Sequence, residues 1–264
     1  MKNTLILSFF VLLLCNQLYS QDIFAVINDS DGYTNVHAGN IHSKIVKKIL
    51  KYQPFECLEK EDAIGDEQYS KMISIQYTNY VSNKGENYSS NTEDENKLFE
   101  GYIYKNKVCR LSDMPKLKSI SENGNKVIYG NPSLKIEIET AKFDAKKHII
   151  RNEKRQFVKT QSGYADATTI DGLRIWGTDG YIPRKEIKSI KIIYQDTILV
   201  LSPSSIKNIF EPNIAPEYTK ISIGANNEIY IWLQNSDAAA SYNVIWVIHN
   251  KKLLYRFTRL SFYV

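Results

Sequence analysis

Histidine is scarce in this chain, four residues in 264, and the four stand apart at His37, His42, His148 and His249. No H-E-x-x-H occurs. His37 and His42 lie near each other, but they supply two ligands where most protein metal sites need three or four. They read as surface histidines, and no metal or cofactor is expected. Cysteine is scarcer still, at three. Cys15 sits in an N-terminal apolar run, which leaves Cys57 and Cys109, both in the front half. A hydrolase of the cysteine-peptidase type needs a thiolate beside a histidine, and the back half has no thiol to offer. G-x-S-x-G and P-loop patterns are missing too. No apolar run reaches the roughly 20 residues that span a bilayer as a helix. No dense basic stripe with interleaved aromatics points to nucleic acid.

What is present leans toward β structure. Tyrosine is abundant, at 18 residues, and suits half-buried strands. A hydrophobic fraction of 43% is enough for real cores. The formal net charge is +5, one unit of it on Lys2, and mainly serves solubility. Lys2 precedes "LILSFFVLLL", Leu5 to Leu14, and "NQLYS" ends on a small residue. Residues 1–20 therefore read as a secretory signal peptide cut after Ser20. An uncleaved anchor is the alternative. A lipoprotein modified at Cys15 is disfavoured by the bulky Leu14 before it. The expected destination lies across the inner membrane, periplasmic or extracellular. There Cys57 and Cys109 either form a disulfide or remain as two buried thiols.

Past the signal peptide the chain divides in two. Residues 21–111 hold short strand-like segments: "FAVIN", "PFECLEK", "KMISIQYTNYV" with period two, and "LFEGYIYKNKVCRL". The polar stretch Ser82 to Lys97 reads as a long exposed loop, and residues 112–126 as a linker or first loop of the next domain. Residues 127–264 read as an antiparallel β domain. "LKIEIE" alternates strictly, and "IKSIKIIYQDTILVLSP" forms a hairpin with Gln195 and Asp196 at its tip. "SSIKNIFEPN" gives a helical turn or two, capped by Ser204 or Ser205 and stopped by Pro212. "EIYIWLQ", "YNVIWVIH" and "LLYRFTRLSFYV" follow as three consecutive strands. The expected fold class is all-β, a small barrel followed by an antiparallel sandwich or barrel.

One stretch reads two ways. In "DGYTNVHAGNIHSKIVKKIL", Asp31 to Leu50, Ile41, Ile45 and Ile49 have helical spacing amid lysines, as in a basic amphipathic helix. Asp31-Gly32, Thr34, Val36, Ile45 and Val46 suit a turn and strands instead. The order of residues here resembles the bacterial SH3-like (SH3b) domain, whose members carry D-G-Y-x-N-V-R-x-G-P-x-x-x-S-x-I-V-x-x-I. Asp31, Gly32, Tyr33, Asn35, Val36 and Gly39 match, and Ser43, Ile45, Val46 and Ile49 match the segment that follows. Gly101, Tyr102 and Ile103 fit the family's closing element. His37 replaces a common Arg, Asn40 a common Pro, and the frequent tryptophan is missing around Met72. The resemblance covers residues 24–111 and implies an SH3-like barrel and a non-catalytic module. Several relatives bind cell-wall peptides or glycans, and others are structural adaptors. On this reading residues 45–50 form a bent strand, its lysines face solvent, and Gly39 takes a backbone conformation that other residues resist.

Candidate binding residues follow from chemistry. Tyr33, Asn35, Tyr77, Tyr102 and Tyr104 in the first part, and Trp176 in the second, are suited to line a groove, since aromatics stack on sugars and peptides. Asp179 and Asp237 lie near turns of the second part, as do Glu186 and Glu211. They serve either as a sugar-binding, calcium-binding or catalytic cluster, or as ordinary turn residues. The basic window Lys146 to Arg155 reads as a solvated loop or strand edge. The leading functional expectation is an exported non-enzymatic binding protein for cell-wall peptide, glycan or an envelope protein. An envelope glycan or cell-wall hydrolase using carboxylates of the second part, and a periplasmic immunity or inhibitor protein, are the alternatives. Neither nucleic acid nor a lasting membrane span is expected.

Overall fold

Period-two alternation dictates strands through most of the chain, and the computed structural model is all-β with antiparallel sheets. It describes residues 23–40, 42–58, 71–83, 85–89, 99–151, 159–160, 163–164, 169–178, 181–236 and 240–260. The expected signal peptide, Ile41, Asp179, Asp237 and much of the basic window after Arg151 lie outside these residues. The fold divides into two units, neither continuous in sequence: residues 1–80, 92–114 and 263–264, and residues 81–91 and 115–262.

The first unit contains β1 (Phe24–Ile27), β2 (Tyr33–His37), β3 (Ile45–Leu50), β4 (Phe55–Leu58) and β5 (Met72–Tyr77). After β6 (Tyr80–Asn83) and β7 (Glu86–Ser89) come β8 (Phe99–Tyr104) and β9 (Val108–Arg110). The seven strands of the unit form one sheet in the order β3-β2-β8-β5-β4-β1-β9. Ile49 of β3 and Val108 of β9, from opposite ends of that order, join one core with Ala25, Val36, Phe55, Ile75, Tyr77 and Ile103. A sheet whose two ends share a core is curled into a barrel-like wall. Residues 45–50 are a strand, so the helical spacing of the isoleucines has no helix behind it. A bulge between Val36 and His37 puts β3 out of step with β2 and accounts for the paired apolar residues. The left-handed turn is made by Gly32 (φ +80°). Gly39 gives its N–H to Ser43 Oγ at 2.8 Å instead of taking the special conformation expected of it. Cys57 and Cys109 are not bridged.

The second unit begins with β10 (Lys116–Asn123), β11 (Lys126–Gly130) and β12 (Leu134–Lys142). The short strands β13 (Ile150–Arg151), β14 (Lys159–Thr160), β15 (Gly163–Tyr164), β16 (Thr169–Ile170) and β17 (Leu173–Arg174) follow. Then come β18 (Lys185–Tyr194), β19 (Ile198–Val200), helix α1 (Pro203–Ile206), β20 (Thr219–Ile223), β21 (Ile229–Asn235), β22 (Tyr242–His249) and β23 (Lys252–Leu260). The main sheet has the order β19-β18-β12-β11-β10-β20-β21-β22-β23-β7-β6. β10 is its corner. Lys116 and Leu117 pair with β20, and from Lys118 onward the strand pairs with β11 across a bulge at Ser119–Ser121. The sheet folds back there, so Ile136, Ile138, Ile190 and Ile192 of one arm share a core with Ile221, Ile231, Val244 and Trp246 of the other.

Two segments depart from the sequence reading. Residues 112–126, expected as a linker, contain the whole of the corner strand β10. Residues 82–97, expected as an exposed loop, contribute to β6 and β7, and β7 runs parallel to β23. Polar groups hold it there: Thr258 N–H donates to Ser89 Oγ at 2.9 Å, and Asn87 Nδ2 donates to Leu254 O at 3.0 Å. Apolar periodicity cannot announce a strand docked mainly through hydrogen bonds. Helix α1 is a single turn capped by Ser202, whose Oγ accepts from Ser205 N–H, with Pro203 at its first position.

Candidate functional site

Register decides which side chains of the first unit share a face. On β2, Thr34 and Val36 point into the core, so Tyr33 and Asn35 lie on the other side, with His37 buried at the base of that side. Tyr33 pairs with Leu50 and Asn35 with Lys48, and past the bulge His37 pairs with Ile45. On the other side His37 pairs with Tyr102. Ile103 is a core residue, so Tyr102 and Tyr104 share the outward face. Tyr33, Asn35, Tyr102 and Tyr104, four of the residues singled out from sequence, thus lie on one face of β3-β2-β8. Ile45, Lys48 and Leu50 complete it.

The face is held in place from below. His37 Nδ1 lies 3.2 Å from Ser43 O; a carbonyl only accepts, so the ring proton sits on Nδ1. Its ring meets Tyr104 edge-on, with centroids 6.1 Å apart. Lys48 Nζ rests 3.8 Å above the centre of the Tyr33 ring, a cation–π contact. Asn35 Oδ1 is buried and accepts no hydrogen bond in the structure. Ile45, Val46 and Leu50 are each close to half exposed, at 48%, 46% and 50%.

Tyr77 and Trp176 are placed elsewhere. Tyr77 lies in the core of the first unit, stacked on Phe99 with centroids 5.6 Å apart, and burial pushes its hydroxyl pKa up. Trp176, only 4% exposed, packs in the core of the second unit beside Tyr242. Neither ring faces outward, because each falls at a core-facing position of its segment. Sequence reasoning missed Lys48, Ile45 and Leu50 as parts of the face, since only the β2–β3 pairing places them beside Tyr33 and Asn35.

The second unit brings together a histidine and two carboxylates. The hairpin β16–β17 turns through Asp171 and Gly172, both left-handed (φ +55° and +74°), as a two-residue Asp-Gly loop prefers. Asp171 Oδ1 accepts the N–H of Ile149 at 2.8 Å, and Oδ2 lies 2.7 Å from His148 Nδ1. His148 Nε2 is 3.4 Å from Glu186 Oε2. The ring stacks on Phe143, with centroids 4.6 Å apart, and meets Phe210 edge-on. Ionised carboxylates only accept, so the pair of contacts calls for protons on both sides of the ring or for one on Glu186. Burial pushes the Glu186 pKa up against the opposing pull of His148. For Asp171, burial raises and the Ile149 N–H and His148 lower, with a net shift downward.

Glu211, the other described acid of the expected cluster, is buried with φ +45°. Its carboxylate accepts the backbone N–H of Arg184 and lies 3.5 Å from the Arg184 guanidinium. It serves as a clamp on the backbone beside β18. Among the described residues no group of three or more His, Cys, Asp or Glu side chains is arranged to hold a metal ion. No described helix is long and apolar enough to cross a membrane. Comparison of the chain with protein-family models, with curated proteins and with solved structures finds no match.

Proposed function

We propose that this chain is an exported, non-enzymatic binding protein. Its first unit acts as an SH3-like module that recognises cell-wall peptide, glycan or an envelope protein through the outward face of β3-β2-β8. One observation carries the reading: Tyr33, Asn35, Tyr102 and Tyr104 share that face with half-exposed Leu50 and Ile45 and with Lys48. Aromatic rings for stacking and a cation are groups from which a recognition surface is built.

The test is a pull-down of the protein lacking residues 1–20, against purified peptidoglycan and against envelope extract. Retention on either one that is lost in a Tyr33→Ala/Tyr102→Ala variant supports the reading. Release of soluble wall fragments would replace it with the hydrolase reading, for which the raised Glu186 beside His148 is the point of support. A single stoichiometric protein captured from the extract, through residues other than these tyrosines, would favour an inhibitor.

A further inference from the structure

We propose that the open edge of β3 takes up an extended, carboxylate-rich segment of a protein partner as an added strand. This rests on the binding reading above and gives it a mode and a partner chemistry.

The first observation is the edge itself. Among the described residues β3 ends the seven-stranded sheet and pairs with β2 alone. Lys51 donates its N–H to Gly32 O, and Lys47 and Ile49 stand opposite Val36 and Thr34. Alternation then turns the backbone N–H and C=O of Lys48 to the open side. Gln53 occupies both backbone groups of Leu50, its Oε1 accepting the N–H at 3.2 Å and its own N–H donating to the C=O at 3.1 Å, and so closes one end of the free stretch; the bulge at the Val36 pairing marks the other.

The second observation is what lines that edge. Edge strands are blunted by charge, lysine above all, by proline or by a bulge, whereas exposed apolar groups along an edge invite pairing with another chain. Here Ile45, Val46 and Leu50 remain exposed beside the lysines. The opposite end of the sheet differs: Val108, Cys109 and Arg110 of β9 are all half-buried. Edge β19 of the second unit exposes Ile198 and Val200, but without a run of charge to select a partner.

The third is sign. No Asp or Glu stands between Asp31 and Glu56, whereas Lys44, Lys47, Lys48 and Lys51 do. Among the described residues none of these lysines pairs with a carboxylate. Lys47 Nζ donates to Asn79 Oδ1, and Lys48 and Lys51 lie over Tyr33 and Tyr52. Unpaired cations flanking exposed aliphatic groups match a strand that alternates acidic and apolar residues. A wall stem peptide, with D-residues and a side-chain linkage, interrupts such a ladder, which is why a protein segment is the occupant.

The test titrates the protein lacking residues 1–20 with the synthetic peptide Glu-Val-Glu-Thr-Glu-Val-Glu, followed by calorimetry and backbone amide shifts. Saturable binding with shifts centred on residues 46–50 is expected. Methylating alternate backbone nitrogens of the peptide should abolish it, since that removes the ladder donors without changing charge. Lys44→Glu/Lys48→Glu should weaken it by about tenfold or more. Lys48→Pro removes an outward N–H while sparing the pairing with β2, and should weaken it comparably. Equal binding of the N-methylated peptide, or of a lysine-for-glutamate peptide, overturns the proposal. If no acidic peptide binds while the wall or envelope pull-down still depends on Tyr33 and Tyr102, this inference fails and the binding reading stands. If both fail, both fall.

Discussion

Gly101 of β8 sits so close to Val36 of β2 that a Cβ on the glycine would come within 2.3 Å of Val36 Cγ1 and 3.0 Å of His37 O. The two strands meet at the single register pair His37–Tyr102, at the root of the candidate binding face. Gly101→Ala should therefore destabilise the first unit by about 1–3 kcal/mol, as overpacking does. Trimming the neighbour in Gly101→Ala/Val36→Ala should recover part of the loss. Urea unfolding of the three variants, Val36→Ala included, checks this; strictly additive losses would mean the close approach is not what costs.

Trp246, fully buried in β22, donates its indole N–H to Ser205 O at 2.7 Å and so satisfies a carbonyl of helix α1. Trp246→Phe keeps an aromatic ring but strands that carbonyl. A loss of about 1–3 kcal/mol is expected from the unmet acceptor, read as a lower denaturation midpoint with little change in slope. The loss of indole volume adds to it.

The two carboxylates around His148 should respond to acid in opposite senses. Asp171 has a lowered pKa in the folded state, so its stabilisation is complete above about pH 3.8 and fades as pH falls through the folded value. Glu186 has a raised pKa, so it favours the folded state fully below about pH 4.5 and loses that contribution as pH rises through its folded value. Asp171→Asn should thus lower stability at neutral pH and converge on the parent in strong acid. Glu186→Gln should raise stability at neutral pH, with the gain shrinking as pH falls toward 4.5. Denaturation midpoints of both variants across acid and neutral pH provide the measurement.

The turn between β22 and β23 uses Asn250 and Lys251, both left-handed (φ +49° and +58°), in a two-residue loop. Asparagine tolerates that conformation, and lysine does so at a cost. Lys251→Gly should relieve it but forfeit the hydrogen bond from Lys251 Nζ to Thr197 Oγ1 and the contact with Tyr194. A net stabilisation of about 0.5 kcal/mol is expected, because exposed contacts of this kind contribute little. Thermal unfolding distinguishes a gain from a loss.

Much of the fold was legible in the sequence because burial has a period. Alternation in "LKIEIE" and "KMISIQY" marks β12 and β5, and the Gln195–Asp196 tip falls between β18 and β19. The helical spacing of Ile45 and Ile49 misleads only until the Val36–His37 bulge is known. Other features leave no periodic trace. β7 is held by Ser89 and Asn87, so it looks like any polar loop. Trp176 stands beside a turn and gives no sign that its ring points inward. The His148–Asp171 contact joins residues 23 apart in sequence, and no local pattern announces it.

The interruption of the first unit by residues 81–91 means that no single cut separates the two parts of this chain. A fragment ending before residue 115 would carry β6 and β7 without the sheet they extend. A fragment starting there would leave β23, nine residues long, as a bare edge. On the ribosome, β6 and β7 emerge long before β23 exists to receive β7, so the second unit cannot complete its sheet until the chain is almost finished. Fusing either part alone to another protein would leave this sheet incomplete.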